Sequence, residues 1–322
     1  MKAIVYEEYG SADVLRLAEV EKPSPAADEV LVRVRAVSLN GADREALIGR
    51  PLYTRIGGLR KPRHPILGSD IAGCVEAVGK DIREFRPGDE VFGEMPGYHG
   101  GLAEYVCVPE KAISPKPATL TFEEAAALPQ AGSIALRGIV LKGRVQPGQR
   151  VLVNGAGGAA GSFAVQLAKG CGAEVTAVDH TDKAEFLRGL GADHFIDYTS
   201  QDFTRTGEEY DLVLDLIAHR GPLACARALR RGGTYFFVGG SLSTLLPILC
   251  FGAFIRVGTG RNVRLLMVPQ NREDAQAVAE LCTSGKLRPV IDRRYALSEA
   301  PAALRYLAEG RHLGKVVISI QG

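Results

Sequence analysis

The sequence of 322 residues lacks several features that mark particular classes of protein. It contains no tryptophan, and its 39 basic and 37 acidic residues nearly cancel, to a net charge of +2. This balance leaves no strong field to attract nucleic acid or an anionic membrane, so we expect neither as a partner. With 46% hydrophobic and 24% charged residues, the chain is neither disordered nor fibrous, and its length predicts two domains.

Cysteines are few, and long apolar runs and a targeting pattern are missing. The six cysteines form no C-x-x-C pair, which argues against a disulfide framework and a zinc knot. The N-terminus enters strand-like sequence directly, without a charged head, an apolar run and a cleavage site. The most apolar tract, residues 242–255, is too short to span a bilayer and contains Pro247 and Gly252. We therefore expect a cytoplasmic protein in which this tract lies in a pocket or in the core.

Two patterns of hydrophobicity divide the chain. Up to residue 121, short alternating runs such as 29–37 are separated by Pro-Gly and Gly-Gly turns, which predicts a β module. From residue 122, Ala- and Leu-rich stretches alternate with continuous runs of Val, Ile and Leu, which is typical of a parallel sheet covered by helices. The sequence therefore predicts an α/β fold, with residues 1–121 and 262–322 in the β module and residues 122–261 in a doubly wound Rossmann domain.

A glycine-rich segment stands between a predicted strand and a predicted helix. It runs Gly155-Ala156-Gly157-Gly158-Ala159-Ala160-Gly161 and directly follows the strand that ends at Asn154. In this spacing Gly158 lets the backbone approach a pyrophosphate, and Gly161 lets the helix pack closely on the strand. Ala156 replaces the first glycine of the strict pattern. The N-terminus of the helix would present free N–H groups and its positive dipole end to the phosphates.

An acidic residue, Asp179, follows Gly161 by 18 residues, at the end of the next predicted strand. This position suits the carboxylate that accepts hydrogen bonds from the ribose of the adenosine. Such a carboxylate repels a 2′-phosphate and favours NADH, whereas His180 and Lys183 could offer positive charge and favour NADPH. The sequence thus predicts a nicotinamide dinucleotide cofactor and leaves NADH and NADPH as alternatives.

Several separate segments share one family pattern: residues 1–5 with Tyr9-Gly10, 37–40 with Asp43, 67–73, 101–105, 125–132, the glycine-rich segment with 164–169, 190–193 and 314–317. Through these segments the sequence resembles the medium-chain dehydrogenase/reductase superfamily, and within it the zinc-independent quinone oxidoreductase branch that includes ζ-crystallin. The resemblance extends over essentially the whole chain. The resemblance implies a GroES-like β module that flanks the Rossmann domain, an active site in the cleft between them, and a homodimer.

The resemblance also bears on metal and on chemistry. Asn40 stands where zinc enzymes of the superfamily carry cysteine, and Ser69-Asp70 stands where they carry His-Glu. Asn and Ser are poor zinc ligands, so we expect no metal. Without a Lewis acid, hydride transfer is easiest to an already electrophilic conjugated acceptor, which predicts NAD(P)H-dependent reduction of quinones or α,β-unsaturated carbonyls. Two alternatives stay open: an enal or enoyl-thioester reductase, and a crystallin-like protein that binds cofactor with little turnover.

The resemblance assigns roles to further residues. It places Asn40 near the nicotinamide and the substrate, and we expect Asn40 and Tyr53 to donate hydrogen bonds to the substrate oxygen. It places Tyr198 near the adenosine. The remaining cofactor-binding candidates, at the nicotinamide side, are Val238, Gly239, Gly240 and Ser241. The apolar residues expected in a substrate wall or in the core are Leu245, Leu246, Leu249, Phe251 and Phe254.

Overall fold

The structure, a computed structural model, describes residues 1–55, 58–239 and 242–320. The strands in chain order are β1 Lys2–Val5, β2 Arg16–Glu19, β3 Glu29–Leu39, β4 Asp70–Val78, β5 Glu90–Glu94, β6 Tyr105–Pro109, β7 Ile113–Pro115, β8 Arg150–Asn154, β9 Glu174–Asp179, β10 His194–Asp197, β11 Tyr210–Asp215, β12 Leu229–Phe237, β13 Asn262–Leu265, β14 Ile291–Ala296 and β15 Lys315–Ser319. The α-helices are α1 Gly41–Ile48, α2 Phe122–Ala126, α3 Pro129–Ala135, α4 Ala159–Gly170, α5 Ala184–Gly189, α6 Pro222–Arg227, α7 Leu242–Thr259, α8 Arg272–Thr283 and α9 Ala300–Glu309.

The chain folds into two compact units, one of Met1–Ser133 with Gln270–Gly322 and one of Ile134–Pro269. The sequence placed the domain boundaries slightly earlier, after residues 121 and 261. Two elements account for the difference. Helix α2 packs on β3 and β4 and so belongs to the first unit, while β13 pairs in parallel with β12 and so belongs to the second.

The first unit contains a largely antiparallel sheet in the order β14-β15-β3-β4-β5-β7, with β6 paired to β3. In its longest strand, β3, apolar residues recur at every second position, and Val30, Val32 and Val34 are all buried on one face. Strand β3 pairs with both β4 and β15, so the end of β3, the start of β4 and the start of β15 lie side by side. This is the arrangement that gathers the polar residues described below.

The second unit is a six-stranded sheet in the order β10-β9-β8-β11-β12-β13, and every pairing in it is parallel. The order reverses at β8, since the chain first moves out to β9 and β10 and then returns to β11 on the other side. This is the doubly wound topology, in which ligands bind at the carboxyl ends of the strands beside the reversal. The predicted α/β fold is confirmed.

The apolar tract forms one helix, α7, with Pro247 inside it. We expected its side chains in a substrate wall or in the core, and the core is wrong for Leu246, Leu249, Phe251 and Phe254, which are all more than half exposed. Leu245 packs against the core of the second unit. No helix among the described residues is both long enough and apolar enough to cross a membrane.

Candidate active site

The glycine-rich loop lies at the carboxyl end of β8, where the strand order reverses. Gly155 has a φ of +78°, a left-handed conformation that favours glycine. Gly158 precedes the first residue of α4, and no side chain in the described part of the chain caps this helix. The first N–H groups of α4 therefore face outward without a side-chain acceptor, as an anion site requires.

Two glycines of the loop have no room for a side chain. A Cβ on Gly161 would lie 2.2 Å from the Gly155 carbonyl oxygen and 2.5 Å from that of Ala156. A Cβ on Gly157 would lie 2.4 Å from Cδ of Lys183 and 3.0 Å from Oδ2 of Asp179. The loop is thus a bare backbone cradle at a helix N-terminus, and these residues fit the pyrophosphate of a dinucleotide.

Asp179 and Lys183, both predicted at the adenosine end, form a buried ion pair beside this loop. Their side chains are 9% and 7% exposed, with Nζ 3.4 Å from Oδ1. The other carboxylate oxygen accepts the Gly157 N–H at 2.8 Å, and Oδ1 also accepts the N–H of His180 at 2.8 Å. Asp179 therefore already braces the glycine loop, a role that the sequence did not indicate.

The remaining predicted cofactor residues lie at the same edge of the sheet. Tyr198 follows β10, is 54% exposed, and its ring centroid lies 6.2 Å from that of His180. Val238 follows β12, and its N–H donates to the carbonyl of Asp215. Gly239 has a φ of +69°. Gly240 and Ser241 lie outside the described residues.

A buried carboxylate beneath the loop was missed in the sequence. Asp215, at the end of β11, accepts from Nδ2 of Asn154 at 2.7 Å and from the hydroxyl of Tyr235. Asn154 is the residue before Gly155, so this network anchors the start of the loop. Burial and the neighbouring Asp215 raise the pKa of Tyr235, so its hydroxyl stays a donor. The sequence did offer a signal for this network: Asn154 and Asp215 are polar residues that each end a buried strand.

A second polar network lies in the first unit, around Asn40. Its side chain donates to Ser69 Oγ at 3.0 Å and to Asp70 Oδ2 at 2.9 Å, and Oδ1 accepts from Nζ of Lys315 at 2.7 Å. Lys315 also lies 3.5 Å from Asp70. Asp43 accepts the N–H of Asn40 at 2.7 Å. All five residues are at most 3% exposed.

This geometry bears directly on the predicted donor role of Asn40. Because an ammonium can only donate and a carboxylate can only accept, Lys315 and Asp70 fix the orientation of the amide. Both amide hydrogens are then used within the network. In this arrangement Asn40 has no hydrogen left for a substrate oxygen.

The network contains more acid than base. Burial raises the pKa of Asp43 to about 7, although the N–H groups of Asn40 and Gly68 lower it. Burial also raises the pKa of Asp70 against the opposing effect of Lys315, and it lowers the pKa of Lys315 itself. At the end of β5, burial and the charge of Asp70 raise the pKa of Glu94 to about 7.

Tyr53, the other predicted donor, lies outside this buried network. It is 45% exposed, and its hydroxyl faces Oε2 of Glu45 at 3.4 Å. Burial and the charge of Glu45 raise its pKa, so the hydroxyl keeps its proton at neutral pH.

Known proteins resemble both units and the whole chain. Residues 26–118 match the alcohol dehydrogenase GroES-like domain, and residues 190–318 match the family described as zinc-binding dehydrogenase. The 2-methylene-furan-3-one reductase of Solanum lycopersicum is 34% identical and the chloroplastic NADPH-dependent alkenal/one oxidoreductase of Arabidopsis thaliana 33% identical, each over 99% of this chain and 79% of the relative. The quinone oxidoreductase of Coxiella burnetii, 30% identical, superimposes with a TM-score of 0.87 over 100% of this chain and 99% of that one.

The chain belongs to the medium-chain dehydrogenase/reductase superfamily, in its quinone oxidoreductase branch. The family resemblance and the GroES-like and Rossmann units expected from it are confirmed.

One matching family description names zinc, so we asked whether this chain has residues that could bind it. At the positions where zinc enzymes of the superfamily carry their metal ligands, this chain has Asn40, Ser69 and Asp70, which offer neither thiolate nor imidazole. The ammonium of Lys315 already occupies the space between Asn40 and Asp70. In the described part of the chain, no group of three or more His, Cys, Asp or Glu side chains could hold a metal ion. These residues do not fit a catalytic zinc.

Proposed function

We propose that this protein is an NAD(P)H-dependent oxidoreductase that reduces quinones or α,β-unsaturated carbonyl compounds without zinc. The observation that carries the proposal is that the ammonium of Lys315 contacts both Asn40 and Asp70. A catalytic zinc at this place would need thiolate or imidazole ligands instead. An enzyme without a Lewis acid is suited to acceptors that are electrophilic already. Relatives named alkenal/one oxidoreductase and quinone oxidoreductase support the same substrate class.

The cofactor is held by the residues of the second unit. A bound NAD(P)H supplies the hydride. The glycine-rich loop and the N-terminus of α4 would hold its pyrophosphate, and Asp179, His180, Lys183 and Tyr198 are the candidates to bind its adenosine. Because Lys183 neutralises Asp179, the carboxylate repels a 2′-phosphate less, so this ion pair lets the site accept NADPH as well as NADH.

The proposed roles in the first unit differ between the two predicted donors. Tyr53 is a candidate donor to the substrate oxygen, supported by its partial exposure and its protonated hydroxyl. Asn40 is better suited to a positioning role, because its amide is fully hydrogen-bonded. Single Tyr53→Phe and Asn40→Ala variants separate these roles: the first lowers turnover alone, and the second lowers stability as well.

Cofactor titration followed by turnover tests the function. Fluorescence titration with NADH and NADPH measures both affinities, and addition of 1,4-benzoquinone or a simple enone is then followed by nicotinamide absorbance. We expect micromolar binding and oxidation of the cofactor by both acceptors. Turnover of crotonyl-CoA alone would select the enoyl-thioester alternative, and tight binding without turnover the crystallin-like one. Stoichiometric zinc in active protein would overturn the proposal.

We further propose that the protein is a cytoplasmic homodimer. Its apolar helix α7 is exposed, and β13 ends the parallel sheet among the described residues, so a second copy could extend the sheet and cover the helix. The cytoplasmic location is part of this proposal, whereas two of the relatives are named as chloroplastic and mitochondrial proteins.

A further inference from the structure

A pocket of about 470 Å³ lies within the first unit, between strand β14 and helix α9. Residues two apart on a strand share a face, so Arg293 and Tyr295 of β14 line the same wall. Helix α9 supplies the other wall through Arg305, Tyr306 and Glu309. Small-molecule sites typically measure about 300–1,000 Å³, so the pocket is large enough for a ligand of this kind.

Regular elements hold both walls of this pocket in place. Strand β14 pairs in parallel with β15. Helix α9 buries Ala303, Leu304 and Leu307 in the hydrophobic core of the unit, and this leaves a neighbouring face of the helix to line the pocket. Arg311, two residues after the end of α9, completes the lining.

The lining of the pocket carries net positive charge. It contains three arginines, from β14, from α9 and from the segment after α9, but only one acid, Glu309. Arg305 and Arg311 form exposed ion pairs, the first with Asp13 at 2.9 Å and the second with Glu309. Exposed pairs of this kind are weak, so both guanidinium groups are free to turn towards a bound anion.

In the part of the chain that the structure describes, the guanidinium of Arg293 is held by a ring rather than by a carboxylate. Its Cζ lies 4.0 Å from the ring centroid of Tyr306. The adjacent Asp292 is occupied, because it accepts from the hydroxyl of Tyr306 at 2.6 Å and from the N–H of Leu313 at 3.2 Å. Arg293 therefore keeps N–H donors for a ligand beyond the hydrogen bond it shares with Tyr295.

We propose that this pocket binds a phosphate monoester of a small organic molecule. Such an ester carries close to two negative charges at neutral pH, which matches the excess of three arginines over one glutamate. The planar guanidinium fork fits phosphate oxygens in a bidentate manner. The pocket is larger than a phosphate group needs, and the rings of Tyr295 and Tyr306 offer apolar faces to the organic part of the ester.

Calorimetric titration of the full chain with phenyl phosphate, in a buffer free of phosphate, tests this proposal. We expect one site per chain and an affinity at least about 5-fold higher than for inorganic phosphate, because the ring adds contacts with tyrosine. Arg293→Gln should weaken binding at least about 10-fold, since it removes a charged fork. Arg294→Gln is the matched control, because this exposed neighbour on β14 points to the opposite face and should keep the wild-type affinity.

The glycine-rich loop of the second unit could also bind the ester, so the titration is repeated with an excess of NADPH. Binding that persists with NADPH and is lost in Arg293→Gln supports the pocket. Binding that NADPH abolishes and Arg293→Gln leaves unchanged would place the ester at the loop and overturn the proposal. Equal losses in the two arginine variants, equal affinity for the two phosphates, or no binding at about 10 mM would overturn it as well. None of these results depends on turnover, so the proposed function stands or fails separately.

Discussion

A single buried ammonium, that of Lys315, decides how the polar network of the first unit is arranged. It orients the amide of Asn40 and partly neutralises Asp70, both of which are at most 3% exposed. Removing one partner of a buried ion pair leaves an uncompensated charge and typically costs 3–5 kcal/mol. We expect Lys315→Met to lower the free energy of unfolding by about 3–5 kcal/mol at pH 8, measured by urea titration.

The control for this prediction is Lys22→Met. Lys22 pairs with Glu76 at 2.8 Å, but both side chains are more than a third exposed, so its loss should cost much less stability than the loss of Lys315. At pH 5 the cost of Lys315→Met should shrink, because the carboxyls left behind can take up protons. Equal losses for the two variants would contradict a special role of Lys315.

Residue roles were only partly predictable from sequence. Asn40 was predicted to donate a hydrogen bond to the substrate, but its side-chain hydrogen bonds run to residues 29, 30 and 275 positions away. No local sequence pattern predicts such hydrogen bonds, because they depend on which strands are neighbours in the sheet. For the same reason no role was predicted for Lys315, although it lies in the segment 314–317 that resembles the family.

At the scale of elements, α4 contains two glycines that differ in the space available for a side chain. A Cβ on Gly161 would meet backbone carbonyl oxygens at 2.2 and 2.5 Å, which cannot yield without moving the loop. Gly170, at the other end of the helix, has no atom within 4 Å of its Cβ position. We expect Gly161→Ala to weaken NADPH binding at least 10-fold and to destabilise the fold by about 1–3 kcal/mol.

Gly170→Ala is the matched comparison for Gly161→Ala. Alanine is a better helix former, so this change should raise stability by up to about 1 kcal/mol and leave the dissociation constant of NADPH unchanged. Urea unfolding and fluorescence titration of both variants check the pair. Similar effects of the two substitutions would mean that the loop is not the close-packed cradle described above.

The pair of Asp179 and Lys183 joins the end of β9 to the turn that precedes α5, and it bears on cofactor choice. Lys183→Met keeps much of the side-chain volume and removes the charge. The freed carboxylate of Asp179 should then repel a 2′-phosphate, so we expect the dissociation constant of NADPH to rise about 10-fold and that of NADH less than 2-fold. Equal changes for the two cofactors would show that Lys183 acts only through stability.

Regular elements were predicted more reliably than edge elements. Continuous runs of Val, Ile and Leu identified the buried strands β8 to β12 before the topology was known. The edge strand β13 was missed, because it has only four residues, Asn262–Leu265, and lies directly between Arg261 and Leu266. Helix α7 was not predicted, because its uniform apolarity carries no helical period and Pro247 argued against a helix.

At the scale of the whole molecule, buried acids give stability an unusual dependence on pH. Burial raises the pKa of both Asp43 and Glu94 to about 7 in the folded state, above their unfolded values of 3.8 and 4.5. The folded state therefore binds more protons between these values, and stability falls as the pH rises through this window. We expect the free energy of unfolding to be higher at pH 5 than at pH 8.

The Glu94→Gln variant isolates one part of this effect. A shift from 4.5 to about 7 corresponds to about 3 kcal/mol, so the variant should gain up to that amount over wild type at pH 8 and little at pH 4. Urea unfolding across this range measures the difference. A constant difference between the two proteins at all pH values would contradict an elevated pKa for Glu94.

Exposed apolar surface on α7 is the remaining feature that acts on the whole molecule. Phe254 is 74% exposed and Leu249 57% exposed, and a single chain in water gains nothing from such a face. If a second copy covers it, Phe254→Asp places a charge in the interface and should convert a dimer of about twice 34.4 kDa to a monomer, measured by light scattering after size exclusion. Leu141→Asp, at an apolar residue 43% exposed elsewhere in the second unit, should leave the mass unchanged. Because the proposed cofactor residues all belong to one chain, the monomer should still bind NADPH. A wild-type protein that is monomeric at all concentrations would remove the homodimer from the proposal.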